Sequence, residues 1–200
     1  RNHNIADKLI FQPASVRDGE WYRLFSYGLL HADLTHLIFN MFTLYLFGRT
    51  IEASFKDSLG YTSGSIAFTM LYLGGLLFSI LPTYSKKKDN YYYKVLGASG
   101  AVSAVIFAYI LIYPMSFMGI MFIPIMLPAF LFGFIFVTIS MYLDKNQVGG
   151  INHSAHVTGG LFGVILTTTI FLALNQTNLL LAFIKKVQIT SLSQLIYIGF

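Results

Sequence analysis

Long apolar stretches separated by short polar breaks dominate the chain, and each stretch is scaled to a bilayer. A membrane-crossing helix needs about 20 mostly apolar residues. The first run follows Asp33, whose side chain suits an N-cap. It continues through "LTHLIFNMFTLYLFG" towards Ile51. A second covers Ser63 to Leu81 and is expected to stop at Pro82. From Val95 to Leu143 there is no charge at all, which is room for two spans hinged at Pro114. Pro124 and Pro128 are then expected inside the fourth span, kinking or loosening it. A fifth runs from Asn152 to Leu174, after the polar break "DKNQVGG". The pattern predicts an all-α fold, a polytopic transmembrane helix bundle with five spans in this chain.

The two ends read differently. Residues 1–30 mix Trp21, Tyr22 and Arg23 with apolar residues but offer no span, as an interfacial loop region would. Residues 31–175 form the membrane core. Residues 176–200, interrupted by Lys185 and Lys186, read as a C-terminal interfacial tail. The chain begins at Arg1, has no signal-peptide pattern, and is read as a piece that has lost N-terminal sequence.

Composition supports the bilayer. Of the 200 residues, 56% are hydrophobic and only 10% charged, against about 25% charged in soluble domains. The net charge of +5 does not point to nucleic acid, because the basic residues are scattered or lie at the ends of apolar runs. The one cluster, Lys86 to Lys88, is followed by Tyr91 to Tyr93, an interfacial belt. The absence of cysteine removes disulfides and thiol nucleophiles from consideration.

Polar groups inside spans are costly, so each is a functional candidate. His36 and Asn40 stack on one helical face. Ser99 opens the third span and His156 the fifth, with Asn152 and His153 beside it. Each has a bland reading. Ser99 can bond back to a carbonyl one turn earlier, Asn40 can act as glue between helices, and His31 and His153 can face water at the span edges. Small-residue ladders shift the balance. Gly100, Ala104 and Ala108 recur every four residues in the third span, as do Ala155, Gly159, Gly163 and Thr167 in the fifth. Such ladders let backbones approach closely, and pairing these two sets Ser99 beside His156. A serine hydroxyl needs a base, which histidine provides near neutral pH. The oxyanion needs donors, available from a helix start, the Asn40 amide and the His36 imidazole. Gly97, Ala98 and Gly100 leave room for a substrate backbone.

These residues resemble a known family. "GASG" (97–100), "HLIFN" (36–40) and "AHVTGGLFG" (155–163) are similar to the GxSG, HxxxN and AHxxGxxxG signatures of the rhomboid intramembrane serine proteases. "EWYRLFSYGLLHADLTH" resembles that family's first loop with its Trp-Arg element. The resemblance implies Ser99 as nucleophile and His156 as general base. It implies an oxyanion hole from His36, Asn40 and the Ser99 backbone N–H, with no metal and no cofactor. Arg23 and Glu52 match positions that help seat the first loop, and Gly159 and Gly163 support the helix pairing. The implied substrates are transmembrane segments of single-span proteins, cleaved in the lipid bilayer of a bacterial inner (cell) membrane, with the site facing the extracytoplasmic side. Lys86 to Lys88 and Lys94, in the loop before Ser99, favour the opposite orientation.

The sequence departs from the family in three places. The family's span before the first loop is missing here, and Tyr22 stands where Trp is usual before Arg23. Ser103 occupies a position where many members carry an aromatic residue that stacks on the histidine. The nearest rival reading is a catalytically silent rhomboid-like protein that binds client transmembrane helices; retention of Ser99 and His156 argues against it. A transporter would spread polar groups through the full membrane depth. A metalloprotease on His36, His153 and His156 would want an HExxH motif, which the chain lacks.

Overall fold

The computed structural model describes residues 5–119, 123–146 and 152–198. Three short helices, α1 (Ile5–Leu9), α2 (Pro13–Arg17) and α3 (Arg23–Ser26), make up the front end. Trp21 and Tyr22 between them are exposed, as a headgroup-level belt would be. Helix α4 (Leu34–Thr43) starts where the Asp33 carboxylate accepts the His36 N–H at 2.7 Å. It widens into a π-helical turn over Leu44–Gly48 and continues as α5 (Arg49–Leu59). Gly60, at φ 83°, separates α5 from α6 (Tyr61–Lys87).

Helix α6 passes through Pro82 instead of stopping there. The proline removes the bond to the carbonyl four residues back and crowds that carbonyl, without ending the helix. Ile80 and Thr83 on either side are buried, and Thr83 is bonded to Asn152 of the neighbouring chain segment. Its last turn carries Lys86 and Lys87, which suit the negative end of the helix dipole.

Helix α7 (Ser99–Ile112) lies at the centre, with Ala101, Ala104, Val105 and Ala108 wholly buried. It ends at Tyr113 and Pro114, where the sequence expects a break. The next residues interrupt an otherwise helical chain. Strands β1 (Phe117–Gly119) and β2 (Ile125–Pro128) pair antiparallel, Phe117 opposite Pro128 and Gly119 opposite Met126. Pro124 and Pro128 explain this, since proline fixes φ and pushes the preceding residue into extended backbone. Both precede α8 (Ala129–Lys145), so neither kinks that helix as expected. Helix α9 (His153–Asn175) follows, capped by Asn152, whose side chain accepts the Ala155 N–H at 3.2 Å. The rest of the "DKNQVGG" break after Asn146 lies outside the described residues. The tail forms α10 (Leu179–Lys186) and β3 (Tyr197–Ile198), which pairs with β2.

The architecture is thus mostly helical, with one small three-stranded sheet in the order β1-β2-β3. Among the described residues, two single helices are long and apolar enough to cross a membrane, α6 and α9, while α7 is apolar but shorter. Helices α6 and α9 expose Ile66, Leu73, Leu161, Ile165 and Leu172. Such outward apolar faces suit a lipid solvent.

Backbones nearly touch between α7 and α9. A Cβ built on Gly159 would run into the Gly100 carbonyl, and one on Gly163 into the Ala104 carbonyl. Helix α6 comes equally close, since a Cβ on Gly75 would lie 2.9 Å from the Ala101 Cα of α7. Only small residues permit this approach.

Candidate active site

The approach to Ser99 is fixed from the front end. Phe11 and Val95 exchange both backbone hydrogen bonds, at 3.0 and 2.9 Å, and the Gly97 N–H donates to the Tyr27 carbonyl at 3.0 Å. Tyr27 is itself anchored, its hydroxyl donating to the Leu76 carbonyl at 2.7 Å; burial pushes its phenol up to about 12. Gly97 turns the chain at φ 114°, a conformation costly for any residue with a side chain. Ala98 is the N-cap of α7, and Ser99 its first residue. The earliest N–H groups of a helix have no partner within it. They are therefore available beside the Ser99 hydroxyl.

Ser99 Oγ lies 2.8 Å from His156 Nε2, across 57 residues of sequence. Ser99 and His156 are half-buried, while Gly97, Ala98 and Gly100 are buried around them. In the tautomer that accepts at Nε2, the histidine receives the hydrogen bond of the Ser99 hydroxyl. The back-bonded alternative for Ser99 is not the one adopted, because its hydroxyl is directed to another helix.

His36 is brought to the same place. A Cβ on Gly97 would lie 2.7 Å from His36 Cε1 and 3.0 Å from its Nε2, so the imidazole fills the space that this glycine leaves. Asn40 is buried one turn below, and its amide donates to the His36 carbonyl at 2.9 Å. An amide nitrogen carries two N–H groups, so one remains beyond that bond. His31 packs edge-on to His36, with ring centroids 5.1 Å apart. Burial holds the His31 imidazole below its ordinary value.

Other expected residues lie further out. Arg23 is buried and braces the front end, donating from Nε to Glu20 Oε2 at 2.5 Å. Its Nη1 also donates to the carbonyls of Asp7 and Ile10, at 2.9 and 2.6 Å. Glu52, expected to help seat the same loop, pairs instead with Lys56 on its own helix at 2.7 Å. That spacing is the favourable glutamate-to-lysine step of one helical turn. Glu52 lines a cavity of about 330 Å³ with Arg49, Phe68 and Tyr72.

His153 corrects another expectation. It is 8% exposed rather than facing water, and its ring stands perpendicular to His156 with centroids 5.8 Å apart. Its helix is tied down on two sides. The Asn152 amide donates to Thr83 Oγ1 of α6 at 2.7 Å, and the Ser154 N–H donates to Asp144 Oδ1 of α8 at 3.0 Å. Among the described residues, no three His, Cys, Asp or Glu side chains converge as a metal site.

Sequence reasoning missed three contributors. Thr83 lies one residue past the proline that was expected to end its helix. Asp144 falls in a segment read only as a polar break. Phe136, on α8, places its ring 6.1 Å from His156, centroid to centroid, and no motif marks it.

Comparison with known proteins gives the family of the chain. A family model described as "Rhomboid domain" matches residues 18–173. The chain is 33% identical over 95 residues to "Putative rhomboid protease YdcA" of Bacillus subtilis (strain 168), covering 48% of this chain and 43% of that protein. It is 30% identical over 169 residues to "Rhomboid-related protein 1" of Caenorhabditis elegans, covering 82% and 43%. It is 26% identical over 161 residues to "RHOMBOID-like protein 12, mitochondrial" of Arabidopsis thaliana, covering 76% and 47%. The chain therefore spans less than half the length of each of these relatives. With the model matched from the front end to the last turns of α9, the chain belongs to the rhomboid family.

Proposed function

We propose that this chain is an intramembrane serine endopeptidase that cuts transmembrane segments of single-span proteins. One observation carries the reading: Ser99 Oγ and His156 Nε2 lie 2.8 Å apart at the starts of two close-packed helices. In the first step His156 takes the Ser99 proton while the oxygen attacks the scissile carbonyl. The negative charge that develops meets the Ser99 N–H, the free N–H of the Asn40 amide and the His36 imidazole. The tetrahedral intermediate collapses as His156 returns the proton to the leaving amine, and an acyl-enzyme ester remains. Water, deprotonated by the same histidine, attacks that ester; a second collapse releases the acid and restores the serine.

The family assignment supports a bilayer setting. In this reading five segments of the chain cross it: Leu34–Leu59, α6, α7 with its flanking residues, α8 and α9. The site then lies towards the extracytoplasmic side of a bacterial inner membrane. Gly97, Ala98 and Gly100 let an unwound substrate strand approach, since an intact helix keeps its carbonyls hydrogen-bonded. The second reading, a silent rhomboid that binds client helices, is favoured by the "-like" and "-related" names among the relatives.

The deciding experiment incubates the detergent-solubilised, full-length protein with a model single-span substrate, comparing wild type, Ser99→Ala and His156→Ala. Cleavage by wild type, lost in both variants, is the expected result. Undiminished cleavage by Ser99→Ala sinks the assignment, and an inert wild type that still binds the substrate favours the silent reading.

A further inference from the structure

The hydrogen bond to Ser99 restrains His156 at one ring atom only. Rotation about the Cβ–Cγ bond is checked by what covers the faces of the ring. On α7, the side chain one turn after Ser99 is Ser103, small and buried. The aromatic surface comes from a different helix. Phe136 of α8 lies with its centroid 6.1 Å from that of His156 and its plane tilted by 30°. This is within the range of offset ring pairs. Phe136 is backed in turn by Phe107 of α7, with centroids 6.0 Å apart. The Phe107 ring is seated because position 160 is glycine; a Cβ there would lie 2.7 Å from Phe107 Cδ2. Three helices thus contribute a row of rings, Phe107, Phe136 and His156. His153 stands perpendicular to the last of them.

We propose that Phe136 is a positioning residue for the reaction, holding the His156 imidazole in line with Ser99 and facing the imidazolium with its π surface. The role rests on the protease reading of the same site. The negative face of an aromatic ring attracts a cation, so the support strengthens as the histidine takes up the serine proton. It acts on the transition state more than on bound substrate, and its loss lowers kcat with little change in KM. It also makes the placement of α8 a condition for the alignment of the dyad.

The test compares Phe136→Leu, which keeps apolar bulk without a π face, with Phe136→Tyr, which keeps the ring. Cleavage of a model single-span substrate gives kcat and KM. The rate at which a fluorophosphonate labels Ser99 reports the dyad without substrate docking. Thermal unfolding in the same detergent reports packing. Phe136→Leu is expected to lose kcat by on the order of tenfold and to label more slowly, with KM and the unfolding midpoint little changed. Phe136→Tyr is expected to retain kcat and labelling. Wild-type kcat and labelling in Phe136→Leu overturn the role while leaving the protease reading intact. Equal losses in both variants, tracking a lowered midpoint, overturn it as mere packing. A wild-type chain that neither cleaves nor labels overturns the protease reading, and this role with it.

Discussion

Gly159 of α9 and Gly100 of α7 meet backbone to backbone, one residue beyond Ser99 and three beyond His156. Alanine at 159 collides with a main-chain carbonyl that cannot swing aside. Gly159→Ala is therefore expected to destabilise the chain at the severe end of overpacking, about 3 kcal/mol or more, and to abolish cleavage. Gly133→Ala is the control, because its Cβ would meet the end of a flexible side chain, Ile110 Cδ1, at 2.8 Å. Thermal unfolding in detergent separates the two, and equal midpoints would contradict the backbone-contact argument.

Gly97→Ala tests a different cost. The new methyl group must tolerate φ 114° and also displace the His36 ring. Strain alone is about 1–2 kcal/mol for an L-residue in a left-handed conformation. The variant should lose more activity than stability, since the displaced group is a candidate oxyanion donor. Cleavage rate and unfolding midpoint measured on one preparation decide this, and parallel losses would count against a role for His36.

The Asn152–Thr83 bond joins the first turn of α9 to α6. Thr83→Val preserves shape and removes the acceptor, leaving the Asn152 amide unpaired at a cost of about 1–3 kcal/mol. Asn152→Ala removes that bond and the cap together. A double-mutant cycle should show coupling, the pair costing less than the sum of its members. Additive effects would mean that the two side chains act independently.

Acid should loosen the front end. The Arg23 guanidinium bonded to the Glu20 carboxylate holds that carboxyl below its ordinary 4.5. A lowered folded-state value means the stabilisation is complete above 4.5 and fades as pH falls through the lower value. Trp21, the chain's one tryptophan, adjoins the pair. Its emission should shift with acid in wild type, and Glu20→Gln should flatten that response. A wild-type emission that does not change with pH would remove the pair from the account.

Much of the site was legible because it depends on local rules. Asp33 caps α4 as its side chain suggests, and four-residue spacing puts His36 and Asn40 on one face. The small-residue ladders anticipate the approach of α7 to α9. What sequence could not supply depends on three-dimensional surroundings. Pro82 reads as a stop until packing carries its helix past it. Pro124 and Pro128 fit a kinked span equally well until strand pairing is seen. Phe136 is one phenylalanine among nineteen, and only the packing of α8 on α9 sets it apart. His153 reads as an edge residue because nothing local reveals that its neighbours Asn152 and Ser154 are bonded to α6 and α8.

The bridge between Phe11 and Val95 bears on when the site comes into being. Chain closure over so long a separation is slow relative to forming local helices. The turn at Gly97, and with it the setting of Ser99, is complete only after the front end has docked on the strand-like segment before α7. His156, still further along, arrives last in any chain emerging from its N-terminus. A chain whose front end has not yet docked can thus carry both Ser99 and His156 without the backbone geometry that sets them side by side.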